Sequence, residues 1–271
     1  MKKWPATCVL TLLMAARLLA VSYCPGCNFR LSESAFQCPK CLRMVEWPYT
    51  PARSEKARVI VRTGKDAFIR HPRSQNRAWK SAANAGGDLA GQIGSWGFVT
   101  GLRYLICFDI PRSFAEAGLN LSEFKLRQAK LRLVIADQKI NQQIPVRVYP
   151  LTRPFLEGKS RFHIRRRKAD GCNWEFSAPL LSWHVPGGDY LESLSAPGIL
   201  GLNSKHEVFI DVTEIFAMRF AELKTTGVWN DPGLIIMRDH QIPCSCTFLS
   251  IFSLETNPRG QQVNSPQLFL Y

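Results

Sequence analysis

The sequence predicts an all-β protein: an antiparallel two-sheet β-sandwich, jelly-roll-like in plan, with one short helix and a small cysteine-rich module ahead of it. Three observations carry this. Short apolar runs alternate with polar residues at a period of two along most of the chain, the signature of strands with one face on a core. Eighteen glycines and seventeen prolines are scattered without a repeat, which suits many strands joined by turns. Four cysteines near the N-terminus form two C-x-x-C pairs. With 271 residues, 46% of them hydrophobic, the chain has the material for one large core and a small module.

The strands are read in order. Arg58–Arg62 and Ala67–Arg70 are apolar runs bracketing Gly64, and Leu102–Ile110 is nearly continuous, as in a strand buried on both faces. Ala129–Ile135 alternates Ala129, Leu131, Leu133 and Ile135 with intervening residues, and Ile144, Val146 and Val148 alternate with Pro145, Arg147 and Tyr149. Glu207–Val212, Gly233–Met237, Thr247–Leu254 and Gln267–Tyr271 complete the set. The single helix is predicted over Thr213–Lys224, with Ile215, Phe216, Phe220 and Leu223 on one face and Asp211 or Thr213 as its cap.

The first residues point to export. Lys2 and Lys3 precede the apolar run Cys8–Ala16, Arg17 interrupts it, and Ala20-x-Ser22 supplies small residues for cleavage. The run is too short and too broken for a membrane span of about 20 apolar residues; a retained anchor is the alternative. The organisation predicted is a signal peptide over 1–22, a zinc ribbon over 23–46, a linker over 47–57 and the sandwich over 58–271, placing the protein outside the cell or in the cell envelope. Cleavage removes Lys2, Lys3 and Arg17 and lowers the formal charge from +14 to +11.

Cys24-Pro-Gly-Cys27 and Cys38-Pro-Lys-Cys41 are knuckles separated by ten residues. Each sets two thiolates on a tight turn, and four sulfurs then surround Zn²⁺ tetrahedrally at about 2.3 Å. A closed four-sulfur shell leaves no place for a substrate water, so the metal is structural, and a segment this short needs it to fold. Small-loop disulfides or a redox pair are the competing reading in an oxidising compartment. Cys107, in an apolar run, reads as a small buried hydrophobe; Cys172, Cys244 and Cys246 follow no ligand pattern.

Several segments, in order, resemble the DNRLRE domain, related to carbohydrate-binding module family 96. They are Asp66-Ala-Phe-Ile-Arg70 with Asn84-Ala-Gly-Gly87, Cys107-Phe-Asp109 closing its strand, and Gln128–Val134. Trp174-Glu175, Trp183 and Pro186-Gly-Gly-Asp189 follow, then Phe209-Ile-Asp-Val-Thr213, Trp229-Asn230 with Gly233-Leu-Ile-Ile236, and Pro266–Tyr271. The likeness spans about 58–271 and implies an extracellular antiparallel sandwich, glycan-binding in some members. The chain departs from the pattern at the basic run Arg161–Lys168 and at Phe155-Leu-Glu157, where Trp-x-Glu is expected.

An excess of 35 basic over 21 acidic residues favours polyanions: acidic polysaccharide, cell-wall polymer, anionic lipid or nucleic acid. The leader disfavours nucleic acid. Arg165, Arg166 and Arg167 are candidates to pair with carboxylates or sulfates, although a solvated loop explains them equally. Trp79 and Trp96, in Gly-, Ser- and Asn-rich stretches, are candidates for stacking on sugar rings, whereas Trp174, Trp183 and Trp229 suit a core. Asp66, Asn84, Asp88, Asp189 and Asp211 are oxygen donors for a Ca²⁺ site or, more simply, turn and cap residues.

Enzyme motifs are absent: no H-E-x-x-H, G-x-S-x-G, P-loop or G-x-G-x-x-G occurs, and the five histidines are dispersed. The predicted function is therefore an exported, non-catalytic module that binds polysaccharide or cell-wall polymer, with acidic glycan favoured and a protein partner docking the ribbon. A structural or protein-interaction domain of a surface protein and a polysaccharide-acting enzyme are the alternatives.

Overall fold

The computed structural model describes residues 22–23, 30–31, 57–71, 90–96, 99–136, 143–159, 170–201, 206–239, 248–252 and 265–271. The chain divides into two units, Met1–Ser54 and Glu55–Tyr271. In the first, β1 (Ser22–Tyr23) pairs antiparallel with β2 (Arg30–Leu31), Ser22 opposite Leu31 and Tyr23 opposite Arg30.

The second unit is built from antiparallel strands. These are β3 (Val59–Arg70), β4 (Ala90–Trp96), β5 (Val99–Phe108), β6 (Ala129–Val134), β7 (Ile144–Pro150), β8 (Phe176–Ala178) and β9 (Leu181–Ser182). Then come β10 (Ala196–Leu200), β11 (Glu207–Asp211), β12 (Leu234–Arg238), β13 (Phe248–Phe252) and β14 (Gln267–Leu270). The strand path runs β10-β7-β12-β5-β3-β14-β6-β11, with β4 pairing both β5 and β13. The hairpin β8–β9 stands apart as a two-stranded sheet.

The two runs around Gly64, read separately in the sequence, are one strand with a register shift between Thr63 and Lys65. Residues 59–62 pair with β14 and the remainder, from Thr63, pairs with β5. The buried Thr63 hydroxyl donates to Pro266 O at 2.7 Å and pins the irregularity. Such a bulge redirects a strand, and here it divides the path into a β14 half (residues 59–62, β14, β6, β11) and a β5 half (residues 63–70, β5, β12, β7, β10).

One apolar cluster draws on both halves. Val59, Val61, Leu131, Leu133, Ile210, Leu268 and Leu270 come from the β14 half; Phe68, Tyr104, Ile106, Val146, Val148, Leu234 and Ile236 come from the β5 half. Leu131, Leu133, Val146 and Val148 are the alternate residues that the sequence periodicity marked. Two helices close the cluster. α2 (Thr213–Thr226) buries Ile215, Phe216, Arg219, Phe220 and Leu223, and ends at Gly227, whose N–H returns to Leu223 O at 2.7 Å. Asp211 Oδ1 accepts from Thr213 N at 2.9 Å at its start.

The other helix corrects the prediction of only one. α1 (Ile110–Glu116) follows β5 directly, capped by Asp109, whose Oδ1 accepts from Arg112 N at 3.3 Å. Pro111 suits a first turn, and Phe114 packs on Phe124 with ring centres 4.9 Å apart. Two turns are too few for a helical period to emerge, so Ile110 read as the end of a strand.

The outer face of the β5 half is also apolar. Ala67, Ile69, Leu105, Ile235 and Met237 pack beneath Leu151, Phe155, Cys172, Trp174 and Trp183, which come from residues 151–159 and 170–190. These stretches are tied down by their backbone: Leu151 N to Gly233 O at 2.9 Å, Leu156 N to Ser177 O at 2.8 Å and Cys172 N to Leu156 O at 2.6 Å. Trp183 Nε1 donates to Asn173 O at 2.8 Å, so its buried polar atom is satisfied.

Candidate binding surface

Among the described residues, the outer face of the β14 half carries no such apolar cover. Its outward residues follow from register: Ile60, Phe269, Lys130 and Asp211 form one cross-strand row, and Arg62, Gln267, Arg132 and Phe209 the next. Ile60 is 50% exposed and Phe209 41% exposed, high for large apolar side chains on a sheet. Phe209 and Phe269 meet edge to face at 5.7 Å, and Lys130 Nζ lies 5.5 Å from the Tyr271 ring centre. Arg132 pairs with Glu207 and donates to Gln267 Oε1 at 3.2 Å. The result is a flat strip of rings bordered by cations, able to stack on the apolar faces of a ligand while charged groups meet its polar edge.

Next to this strip, an open cleft of about 650 Å³ separates β3 from α1, lined among others by Arg58, Ile60, Arg62, Asp109, Arg112 and Glu116. Its two carboxylates already have work: Asp109 caps α1, and Glu116 Oε1 accepts from Arg112 Nε at 2.8 Å. That hydrogen bond, then the charge of Glu116, raises the pKa of the Arg112 guanidinium. Arg58 lies over the Phe124 ring at 5.7 Å. Among the described residues neither Arg58 nor Arg62 has an ion-pair partner.

The residues singled out from sequence fall elsewhere. Trp79, Arg165, Arg166 and Arg167 lie outside the described residues, as do Cys24, Cys27, Cys38 and Cys41. Trp96 closes β4 with its backbone opposite Val99, and its ring is outside the described side chains. Trp174 and Trp183 are 7% and 4% exposed, core rings as expected, and Trp229 packs against the core. Phe209, Phe269 and Tyr271 were not proposed as ligand contacts. The signal for them was the same alternation that predicted the strands, applied to the outward positions.

A second group of rings is occupied by the protein itself. Arg103 stacks on Trp174 at 4.6 Å and donates to Gly187 O at 2.7 Å, and burial lowers its pKa. His71 meets Trp174 edge-on at 4.8 Å, and Tyr149 meets Tyr190 at 4.9 Å.

The proposed oxygen donors are spread through the fold. Asp66 is buried and accepts from Tyr104 Oη at 2.7 Å; burial first, then Asp66, pushes that phenol's pKa well up. Asp189 accepts from His184 N at 3.0 Å and Val185 N at 2.8 Å, locking the Gly187-Gly188 turn. Asp211 serves Thr213, and Asn84 and Asp88 lie outside the described residues. Among the described residues no group of three or more His, Cys, Asp or Glu side chains is placed to hold a metal.

His184 stands between Asp189 Oδ2, 3.1 Å from Nδ1, and Arg153 Nη2, 2.7 Å from Nε2. Of the described thiols, neither Cys107 nor Cys172 forms a disulfide. Burial, reinforced by Asp231, pushes Cys107 up to about 12, and burial raises Cys172 as well.

No protein-family model matches the chain, and no curated protein matches its sequence. Among the described residues no helix is long and apolar enough to cross a membrane.

Proposed function

We propose that this protein is an exported, non-catalytic binding module that holds a polysaccharide or cell-wall polymer against the bare face of its β14 half. The observation that carries the reading is the outward strip of exposed Ile60 and Phe209 with half-buried Phe269 and Tyr271, on a strand face next to Lys130 and Arg132. Pyranose C–H faces pack on such surfaces, and water pays no ordering cost to leave them. The two halves are read as the sheets of a jelly-roll-like sandwich, supported by Gly198 of β10 backing onto Ile210 of β11. The ordered DNRLRE-like motifs support the same reading, as does the leader for a secreted or envelope location.

The test is retention on glycan-loaded gels at low salt, with Phe269→Ala and Phe209→Ala weakening retention while the thermal midpoint holds. No retention of the full chain on any glycan removes the reading.

The N-terminal unit is read as a zinc ribbon that docks a protein partner. β1 and β2, paired antiparallel, flank Cys24 and Cys27 in the sequence, and Cys38 and Cys41 would complete a structural Zn²⁺ shell. Metal analysis is expected to return one zinc per chain, lost on Cys38→Ser with Cys41→Ser; intact zinc-free disulfides in the native protein exclude the metal.

A protein-interaction role is the second reading. It is favoured by the β8–β9 hairpin tip, where Leu180 is 96% exposed with φ of +67° and Leu181 is 59% exposed. Pull-down lost on Leu180→Gly, with glycan retention unchanged, would support it. Product release from acidic glycans would instead favour an enzyme.

A further inference from the structure

We propose that the cleft between β3 and α1 is the subsite that selects acidic polymers, with Arg58 and Arg62 gripping carboxylate or sulfate groups of a chain lying along the bare face. The proposal rests on the polysaccharide reading above and adds the chemistry of the ligand and the residues that choose it.

Four observations converge on the cleft. Its volume of about 650 Å³ lies within the roughly 300–1,000 Å³ of small-ligand sites, room enough for a sugar unit. Ile60 and Arg62 belong both to the cleft and to the exposed rows, so a polymer on the rings passes into the cleft without leaving the surface. The carboxylates that line it are held by Arg112 and by the start of α1, which leaves the guanidiniums of Arg58 and Arg62 as the unneutralised charge. Lastly, among the described strands residues 59–62 pair on one side only, with β14. The other strand edge is therefore available to hydroxyl groups.

The spacing points to a polymer instead of a single acidic sugar. Arg58 and Arg62 stand at either end of Ile60, four residues and so roughly 13 Å apart along extended chain. A single anionic group would have to draw both side chains together at full reach, whereas a chain with repeated charges meets each arginine where it stands and rests its apolar faces on Ile60 between them. Two tethered contacts act as one multivalent contact, so affinity should climb with oligomer length. A guanidinium binds a planar carboxylate or a sulfate edge through two parallel N–H donors, and such contacts weaken as salt screens them.

The experiment measures affinity of the full chain for a polyuronate, a sulfated polysaccharide and a neutral glucan of matched length, at low and high salt. Arg62→Gln, and Arg58→Gln with Arg62→Gln, are expected to weaken binding of the acidic polymers about tenfold or more and to flatten the salt dependence, with neutral-glucan binding unchanged. Preference for the polyuronate or for the sulfated chain identifies the source of the anion, and either supports the subsite. Wild-type affinity of both variants for both acidic polymers overturns it, and so does an equal loss on the neutral glucan. Arg62→Gln removes no contact with the Phe124 ring, so it keeps the test sound if the double variant misfolds. Wild-type behaviour of the arginine variants alongside weakened Phe269→Ala removes the cleft alone. Failure of all three polymers to bind wild-type protein removes the platform and the subsite together.

Discussion

The two outer sheet faces of this protein have the same backbone architecture and opposite fates. On the β5 half, strands β5 and β12 are apolar on both sides, with Leu105, Ile235 and Met237 facing outward beneath Trp174 and Trp183. On the β14 half, period-two alternation survives: Val59 and Val61 are buried, while Ile60 and Arg62 are exposed. The difference teaches that a sheet face is committed by what crosses it. Where residues 151–159 and 170–190 lie, outward rings become core and their cations turn inward, as Arg103 does on Trp174. Where nothing among the described residues crosses, Ile60 and Phe209 stay exposed and Arg132 pairs outward with Glu207.

Removing the lid should break the contrast most severely. Trp183→Ala removes a ring that is 4% exposed and leaves a cavity under the cover, so it is expected to cost about 3–5 kcal/mol, read from urea unfolding. Phe209→Ala on the bare face should change stability by only about 0.5 kcal/mol. Equal losses at the two positions would mean that the bare face is covered too.

A smaller effect is expected where the cover meets the strands. Gly233 has φ of +111°, and a Cβ there would lie 2.6 Å from Ile106 O. Gly233→Ala therefore forces backbone strain as well as a clash, expected at about 2–3 kcal/mol. A thermal midpoint equal to that of wild type would contradict the close approach of β12 to β5.

Within the shared core, Tyr104→Phe removes the donor 2.7 Å from Asp66 Oδ2. Leaving a buried carboxylate short of a partner is expected to cost about 1–3 kcal/mol, again read by unfolding. The raised pKa of Tyr104 keeps the phenol a donor throughout the ordinary pH range, so its contribution should be flat from neutral to mildly alkaline pH and fall only as strong base ionises it.

The mildest probe leaves stability untouched. With Cys107 at about 12, the thiolate fraction at pH 8 is about 10⁻⁴, and thiolate is the reactive form. Alkylation of Cys107 and of buried Cys172 is expected only after unfolding, as peptide mass measurements would show. Rapid labelling of the native protein would open the covered side to solvent.

Much of this was legible beforehand. β6 and β7 were predicted from alternation, most other core strands from apolar runs, and α2 from its Ile215, Phe216, Phe220 and Leu223 face, whereas β10, with Ala196 and Leu200 in the shared core, was not predicted. β4 was not, because Ala-Gly-Gln-Ile-Gly-Ser-Trp looks like a loop. Gly91 is there because the Tyr104 ring occupies the space a Cβ would take, at 2.3 Å, and no local pattern announces that. The outward strip on the β14 half is no easier to see locally, because Phe269 sits in, and Tyr271 just after, a strand whose rings would ordinarily be core.

By itself the amino-acid order determined the strand content, the antiparallel habit and which residues face the common core, because those follow from side-chain alternation between neighbours two apart. It also determined the doubled cysteine motif and the charge excess. Tertiary structure alone decided which outer face is sealed, that Arg58 and Arg62 line a cleft with α1, and that the Asp66 carboxylate lies buried against Tyr104. Those outcomes depend on segments tens of residues apart meeting in space, and such meetings leave no period in the sequence.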